Sequence, residues 1–160
     1  MNPIAQKLVH LLCEYELTVT TAESCTGGLV SAAITSIPGS SSVLDGAIVT
    51  YAPSVKGRFL NIDPAILYEK GVVSPECAKA MAEGAAKLFC SDTAIATTGY
   101  AGPGGGDEDN PVGTVYVAAF AFGTTAVCRL SLDGDRDSIR ASAVDEALEL
   151  LYQQIRNAFR

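Results

Sequence analysis

One histidine, His10, occurs in 160 residues. It falls in a helix-patterned segment, far from any cysteine cluster. A Cys/His metal site is therefore not expected, and a nucleophile elsewhere would have to work without a histidine base. The cysteines, Cys13, Cys25, Cys77, Cys90 and Cys128, are odd in number, widely spaced and without a C-x-x-C pair. That pattern predicts reduced thiols in a cytoplasmic protein rather than a disulfide framework. Cations are also scarce, with Lys plus Arg 11 against Asp plus Glu 18 and a net charge of −7. Such a chain lacks the positive field that a nucleic-acid backbone requires, and no nucleic-acid partner is expected. A local basic pocket for one small anion is still compatible with this balance. No window offers the roughly eighteen apolar residues of a membrane span. The start, Met1-Asn2-Pro3-Ile4-Ala5-Gln6-Lys7, carries no apolar run of signal-peptide length.

Hydrophobic residues nevertheless make up 48% of the chain and charged residues 18%. At this length one hydrophobic core suffices, so residues 1–160 are expected to form a single domain. Ile4, Leu8, Leu11, Leu12 and Tyr15 lie at helical spacing, and Leu17–Ala22 is a short run rich in β-branched residues. A helix is expected over 27–36 and a strand over 43–51, with a loop at Gly39–Ser42 between them. Short helices over 54–60 and 64–69 follow. Ser74-Pro75 reads as the cap and first residue of a helix running to about Phe89. A strand over 92–98, a long loop over 99–111, two strands over 113–122 and 125–132 and a helix over 137–158 complete the chain. Early alternation of helix and strand, then a late hairpin, predicts an α/β fold. The expected form is a three-layer α/β/α sandwich with a mixed parallel and antiparallel sheet.

Loops after the strand carboxyl ends are the usual place for chemistry in such sheets. The first is Glu23-Ser24-Cys25-Thr26-Gly27-Gly28, where a strand turns into a helix. Ser24 reads either as a helix cap or as a nucleophile whose oxyanion is held by amides near Thr26 to Gly28. Cys25 is an adjacent rival nucleophile or a residue lining the site. The second is Tyr51-Ala52-Pro53-Ser54-Val55-Lys56. Lys56 and Tyr51 read either as a surface lysine and a strand-end tyrosine, or as a lysine desolvated near a helix start that serves as a base, with Tyr51 relaying its proton or holding it. The third is Thr98-Gly99-Tyr100-Ala101-Gly102-Pro103-Gly104-Gly105-Gly106, whose backbone can wrap an anion or sugar. Asp107-Glu108-Asp109 after it reads as a solvated turn. Arg136 and Arg140 read either as anion-pairing residues or as partners of carboxylates around the last helix start.

These segments jointly resemble the carboxy-terminal domain of the competence/damage-inducible CinA family. The resemblance rests on Ala22-Glu23-Ser24-Cys25-Thr26-Gly27-Gly28, Pro38-Gly39-Ser40-Ser41, Tyr51 with Lys56, Gly71-Val72-Val73-Ser74, Thr98-Gly99-Tyr100-Ala101-Gly102-Pro103 and Pro111-Val112-Gly113-Thr114-Val115-Tyr116. It implies hydrolysis of nicotinamide mononucleotide to nicotinic acid mononucleotide and ammonia, in pyridine nucleotide salvage. It further implies a mechanism without metal or cofactor, Ser24 as nucleophile, Tyr51 and Lys56 handling protons, Thr98 lining the site, and a homodimer or higher homo-oligomer. Substrate contacts are expected from Cys25, Thr26, Gly27, Gly39, Ser42, Thr98, Gly99, Gly102, Arg136 and Arg140. The alternatives are a binding or accessory protein of weak activity and an amidase for another small carboxamide. The family usually continues Tyr-Ser-Asn-x-x-Lys, where this chain has Ala52 and Pro53. The larger CinA partner domain has no counterpart in these residues, so nothing in them supports a second activity.

Overall fold

A computed structural model describes residues 1–160. Five strands, β1 Val19–Glu23, β2 Leu44–Val49, β3 Thr93–Gly99, β4 Thr114–Ala121 and β5 Thr124–Ser131, form one sheet in the order β2-β1-β3-β4-β5. β1 is parallel to both β2 and β3, whereas β3, β4 and β5 are successively antiparallel. Helices α1 Pro3–Glu14, α2 Leu29–Thr35 and α5 Arg136–Ala158 pack on one face, and α3 Pro53–Leu60 and α4 Pro75–Phe89 on the other. This is the α/β/α sandwich with a mixed sheet that the element order predicts. No helix is long and apolar enough to cross a membrane.

Local chemistry explains the element ends. The Asn2 side chain accepts the Ile4 and Ala5 amides, with Pro3 at the first helical position. Ser74 accepts the Cys77 amide, with Pro75 following it, as expected for a capped start. The β4–β5 hairpin turns through Phe122 and Gly123, both at positive φ (54° and 74°), which suits a two-residue turn. Some boundaries differ from expectation. α2 begins at Leu29, because Gly27 and Gly28 take φ of +59° and +100° and prolong the loop. The helix expected over 64–69 is present from Pro64, but its second part, Ile66–Lys70, is a π-helical turn, and Gly39–Ser42 contains a 3-10 turn at Ser40–Ser42.

The core is built partly from small residues. Ala78, Ala82 and Ala85 of α4 share a cluster with Ala94, Ala96 and Ala118 of the sheet. In α4, a Cβ on Gly84 would collide with the Leu60 carbonyl oxygen, so the end of α3 abuts this helix directly. That contact fixes α3, and with it Lys56 in the first part of the same helix.

Topology then defines one crevice. The chain leaves β1 for α2 on one face and leaves β2 for α3 on the other. Neighbouring parallel strands whose connections diverge open a gap beyond their carboxyl ends. The loops starting at Ser24 and at Thr50 both enter that gap.

Candidate active site

Ser24 and Lys56 meet there. The Ser24 amide donates to the Thr97 carbonyl at 3.0 Å, which extends the β1–β3 ladder and holds the serine at the strand end. Lys56 Nζ donates to Ser24 Oγ at 3.0 Å, to the Tyr51 carbonyl at 3.3 Å and to the Thr50 carbonyl. Lys56 is only 1% exposed. Burial pushes its ammonium below the ordinary value of 10.5. No carboxylate bonds to it. Its other neighbours include the thiols of Cys25 and Cys77, each pushed up to about 11 mainly by burial. A neutral amine has two N–H groups and one lone pair. In that form the two carbonyls would take the two N–H groups, and the lone pair would face the Ser24 hydroxyl.

Pro53 and Ala52 leave this geometry undisturbed. Pro53 is the first residue of α3, where its missing N–H costs nothing, and Ala52 is the N-cap without a side-chain bond. Lys56 follows within the first turn.

Two charged side chains hold the Ser24–Gly28 loop from opposite sides. Glu23 is fully buried. Its carboxylate accepts from Thr21 Oγ1 at 3.2 Å, Thr26 Oγ1 at 2.6 Å and the amides of Gly28, Val30 and Ser31 at 3.0, 3.0 and 2.9 Å. Arg140 donates through Nε to the Cys25 carbonyl at 3.0 Å and through Nη2 to the Thr26 carbonyl at 3.1 Å. The Gly27 amide donates to the Ser24 carbonyl at 3.0 Å. The amides of Cys25 and Thr26 make no hydrogen bond within the chain. The expected oxyanion donors therefore need correction. Gly27 and Gly28 have spent their N–H groups on the loop itself, and only Cys25 and Thr26 retain theirs.

The structure gives the other expected site residues the following surroundings, and it moves Gly39 and Ser42 away from Ser24. Tyr51 is 60% exposed and its phenol oxygen takes a hydrogen bond from Arg136 Nη2 at 3.3 Å, while its carbonyl is what Lys56 bonds. The Cys25 thiol is buried, and that burial pushes it up to about 11, which disfavours the thiolate a rival nucleophile would need. Gly39 and Ser42 lie at the opposite end of the sheet. They precede Val43, whose carbonyl bonds Val19 at the start of β1, while Ser24 follows the end of β1. Five strand residues, about 17 Å, separate the two ends. The Thr98 hydroxyl donates to the Val72 carbonyl at 2.6 Å. A Cβ on Gly99 would fall 2.5 Å from the Thr114 carbonyl, so this glycine serves close packing against β4. Gly102 gives its carbonyl to Arg136 Nη1 at 2.7 Å. Asp107 caps its own turn by accepting the Asp109 and Asn110 amides. Arg140 also lies 3.8 Å from Asp137, so part of the carboxylate-pairing alternative holds for it, whereas Arg136 has no carboxylate partner. The larger surface clefts, between α2 and α5 and between α1 and α5, are lined by no hydroxyl or thiol.

Glu23 is the residue that sequence reasoning passed over. Its one signal is a charged residue closing an otherwise uncharged strand immediately before Ser24. The loop-holding role of Arg140 had no local signal, because its partners lie 115 and 114 positions away.

The model of the CinA C-terminal domain matches residues 1–155. The chain belongs to this family. It is 42% identical over 154 residues to a CinA-like protein of Dictyoglomus turgidum, covering 96% of this chain and 38% of that protein. It is 43% identical over 146 residues to a putative competence-damage inducible protein of Moorella thermoacetica, covering 91% of this chain and 35% of that one. The chain thus spans little more than a third of the length of these CinA relatives. Among solved structures, a CinA superfamily protein of Klebsiella pneumoniae superposes with a TM-score of 0.94 at 31% identity, covering 98% of each chain. A competence/damage inducible protein of Agrobacterium tumefaciens gives 0.92 at 39% identity, over 95% of this chain and 93% of that one.

Proposed function

We propose that the chain is a serine amidohydrolase acting on nicotinamide mononucleotide. The observation that carries the reaction class is the buried Lys56 amine 3.0 Å from Ser24 Oγ, with its N–H groups taken by carbonyls. The substrate rests on the family resemblance. Ser24 Oγ attacks the carboxamide carbon while its proton passes to Lys56. The oxyanion forms beside the free Cys25 and Thr26 amides. Collapse expels ammonia, which takes the proton back from Lys56, and leaves an acyl-serine. Water then attacks the ester carbonyl, giving a proton to Lys56. The second collapse returns that proton to Ser24 and releases the carboxylic acid, which ionises. Carboxamide and water thus become carboxylate and ammonium.

Arg136 is the candidate for the phosphate. Its guanidinium has five N–H donors and uses two of them, on Gly102 and Tyr51, at the exposed rim. The reading is tested by ammonia release from the mononucleotide, its nucleoside and the free-base amide. Turnover that requires the phosphate is expected. Equal turnover of all three would make this an amidase of another specificity, and binding without turnover would make it an accessory protein.

Arg140→Ala is expected to lower kcat about 10- to 100-fold with a smaller change in KM, since each charge-assisted bond to the loop is worth about 1.5–3 kcal/mol. Arg140→Lys is expected to restore little, because an ammonium lacks the planar fork that meets both carbonyls. Recovery of wild-type kcat in the lysine variant would overturn this role.

A further inference from the structure

We propose that Glu23 is a positioning residue for nucleophilic attack, holding the Ser24–Gly28 loop so that the Cys25 and Thr26 amides stay free for the oxyanion; this rests on Ser24 being the nucleophile. A helix of this type normally begins with a short polar cap next to its first turn. Here the N-cap is Gly28, which has no side chain to cap with. Glu23 does the work from five residues upstream, taking the amides of Gly28, Val30 and Ser31. The loop between is therefore closed into a ring by its own flanking carboxylate. The same carboxylate accepts Thr26 Oγ1, which also bonds Thr97 Oγ1 at 2.7 Å, tying the ring to β3.

Every partner of Glu23 is a donor, and the two oxygens share them. That saturates one end of α2 with a fixed protein anion. It also explains why the substrate's developing charge would be met by Cys25 and Thr26 and not by the helix amides. A glutamine at position 23 keeps one acceptor oxygen and turns an amide NH2 toward N–H donors. At least one of the three backbone amides then lacks an acceptor, and the ring opens. Ser24 and Lys56 would remain, but the donors around the oxyanion would lose their register.

The test measures Ser24 reactivity without assuming a substrate. A fluorophosphonate transfers its phosphonyl group to an activated serine: Ser24 Oγ bonds phosphorus, fluoride leaves, and the hydroxyl proton goes to Lys56. Labelling rates are read by intact-protein mass spectrometry on protein shown to be folded by circular dichroism. Glu23→Gln is expected to label about 100-fold more slowly than wild type. Leu12→Ala, a truncation of the α1 core, lowers the thermal midpoint and is expected to label within twofold of wild type. With the mononucleotide, Glu23→Gln should lower kcat and leave KM within about threefold, since loop register acts on the transition state. A Glu23→Gln rate within threefold of wild type would overturn the proposal, as would equal slowing in Leu12→Ala. If Glu23→Gln does not fold, Thr26→Val takes its place. It removes one donor to Glu23 but keeps both free amides, and about tenfold slowing is expected; a wild-type rate overturns the proposal. A wild-type chain that neither labels nor releases ammonia would overturn the Ser24 reading itself.

Discussion

Replacing Ser24 with alanine is expected to lower kcat for amide hydrolysis by about 10⁴- to 10⁶-fold, the range for loss of an activated nucleophile. No neighbour can substitute. The Cys25 thiol is buried and pushed up to about 11, so it supplies almost no thiolate at neutral pH. The structural cost is small by comparison. The Ser24 side chain makes one hydrogen bond, to Lys56, and a single bond of that kind contributes about 1 kcal/mol. Ammonia release and a denaturant unfolding curve on the same preparation check both halves. Full ammonia release by Ser24→Ala would end the assignment.

Lys56→Met is expected to lower kcat by about 10²- to 10⁴-fold, the usual contribution of a positioned general base. Methionine fills a similar volume, so the loss should be chemical. It does leave the Thr50 and Tyr51 carbonyls without their donor, which costs about 1–3 kcal/mol for each carbonyl that water cannot reach. The wild-type pH profile carries the same information. Only the neutral amine can take the Ser24 proton. Burial lowers the Lys56 pKa below 10.5, so kcat/KM should rise with pH through that lowered value and then level off. Stability follows a matching rule. The unfolded chain holds the Lys56 proton up to about 10.5, whereas the native state releases it earlier. Lys56 therefore destabilises the native state most fully below its folded pKa, and the penalty fades as pH rises toward the unfolded value. A kcat/KM that falls with rising pH would exclude Lys56 as the base.

Much of this fold was legible because its cues are local. Helical spacing in α1, the capped Ser74-Pro75 start of α4 and the β-branched run of β1 each reflect residues within a turn or a strand of one another. The glycine-rich turn after β1 marked Ser24, and the single histidine turned attention to lysine. The two ends of a strand look alike in sequence, however. Gly39 and Ser42 have the composition of an anion-binding loop, but the parallel pairing of β1 with β2 sends them to the end of the sheet away from Ser24.

At Ser24 the sequence by itself determined the nucleophile candidate and, through the scarcity of histidine, the kind of base it would need. The tertiary structure decided everything that surrounds the pair. It took Tyr51 by its carbonyl and turned its phenol outward, turned Arg140 onto two loop carbonyls, and spent the helix amides on Glu23. The physical reason is that each of these bonds joins groups whose separation depends on strand order and on how α2, α3 and α5 dock. Residue type and spacing along one segment carry that information for none of them.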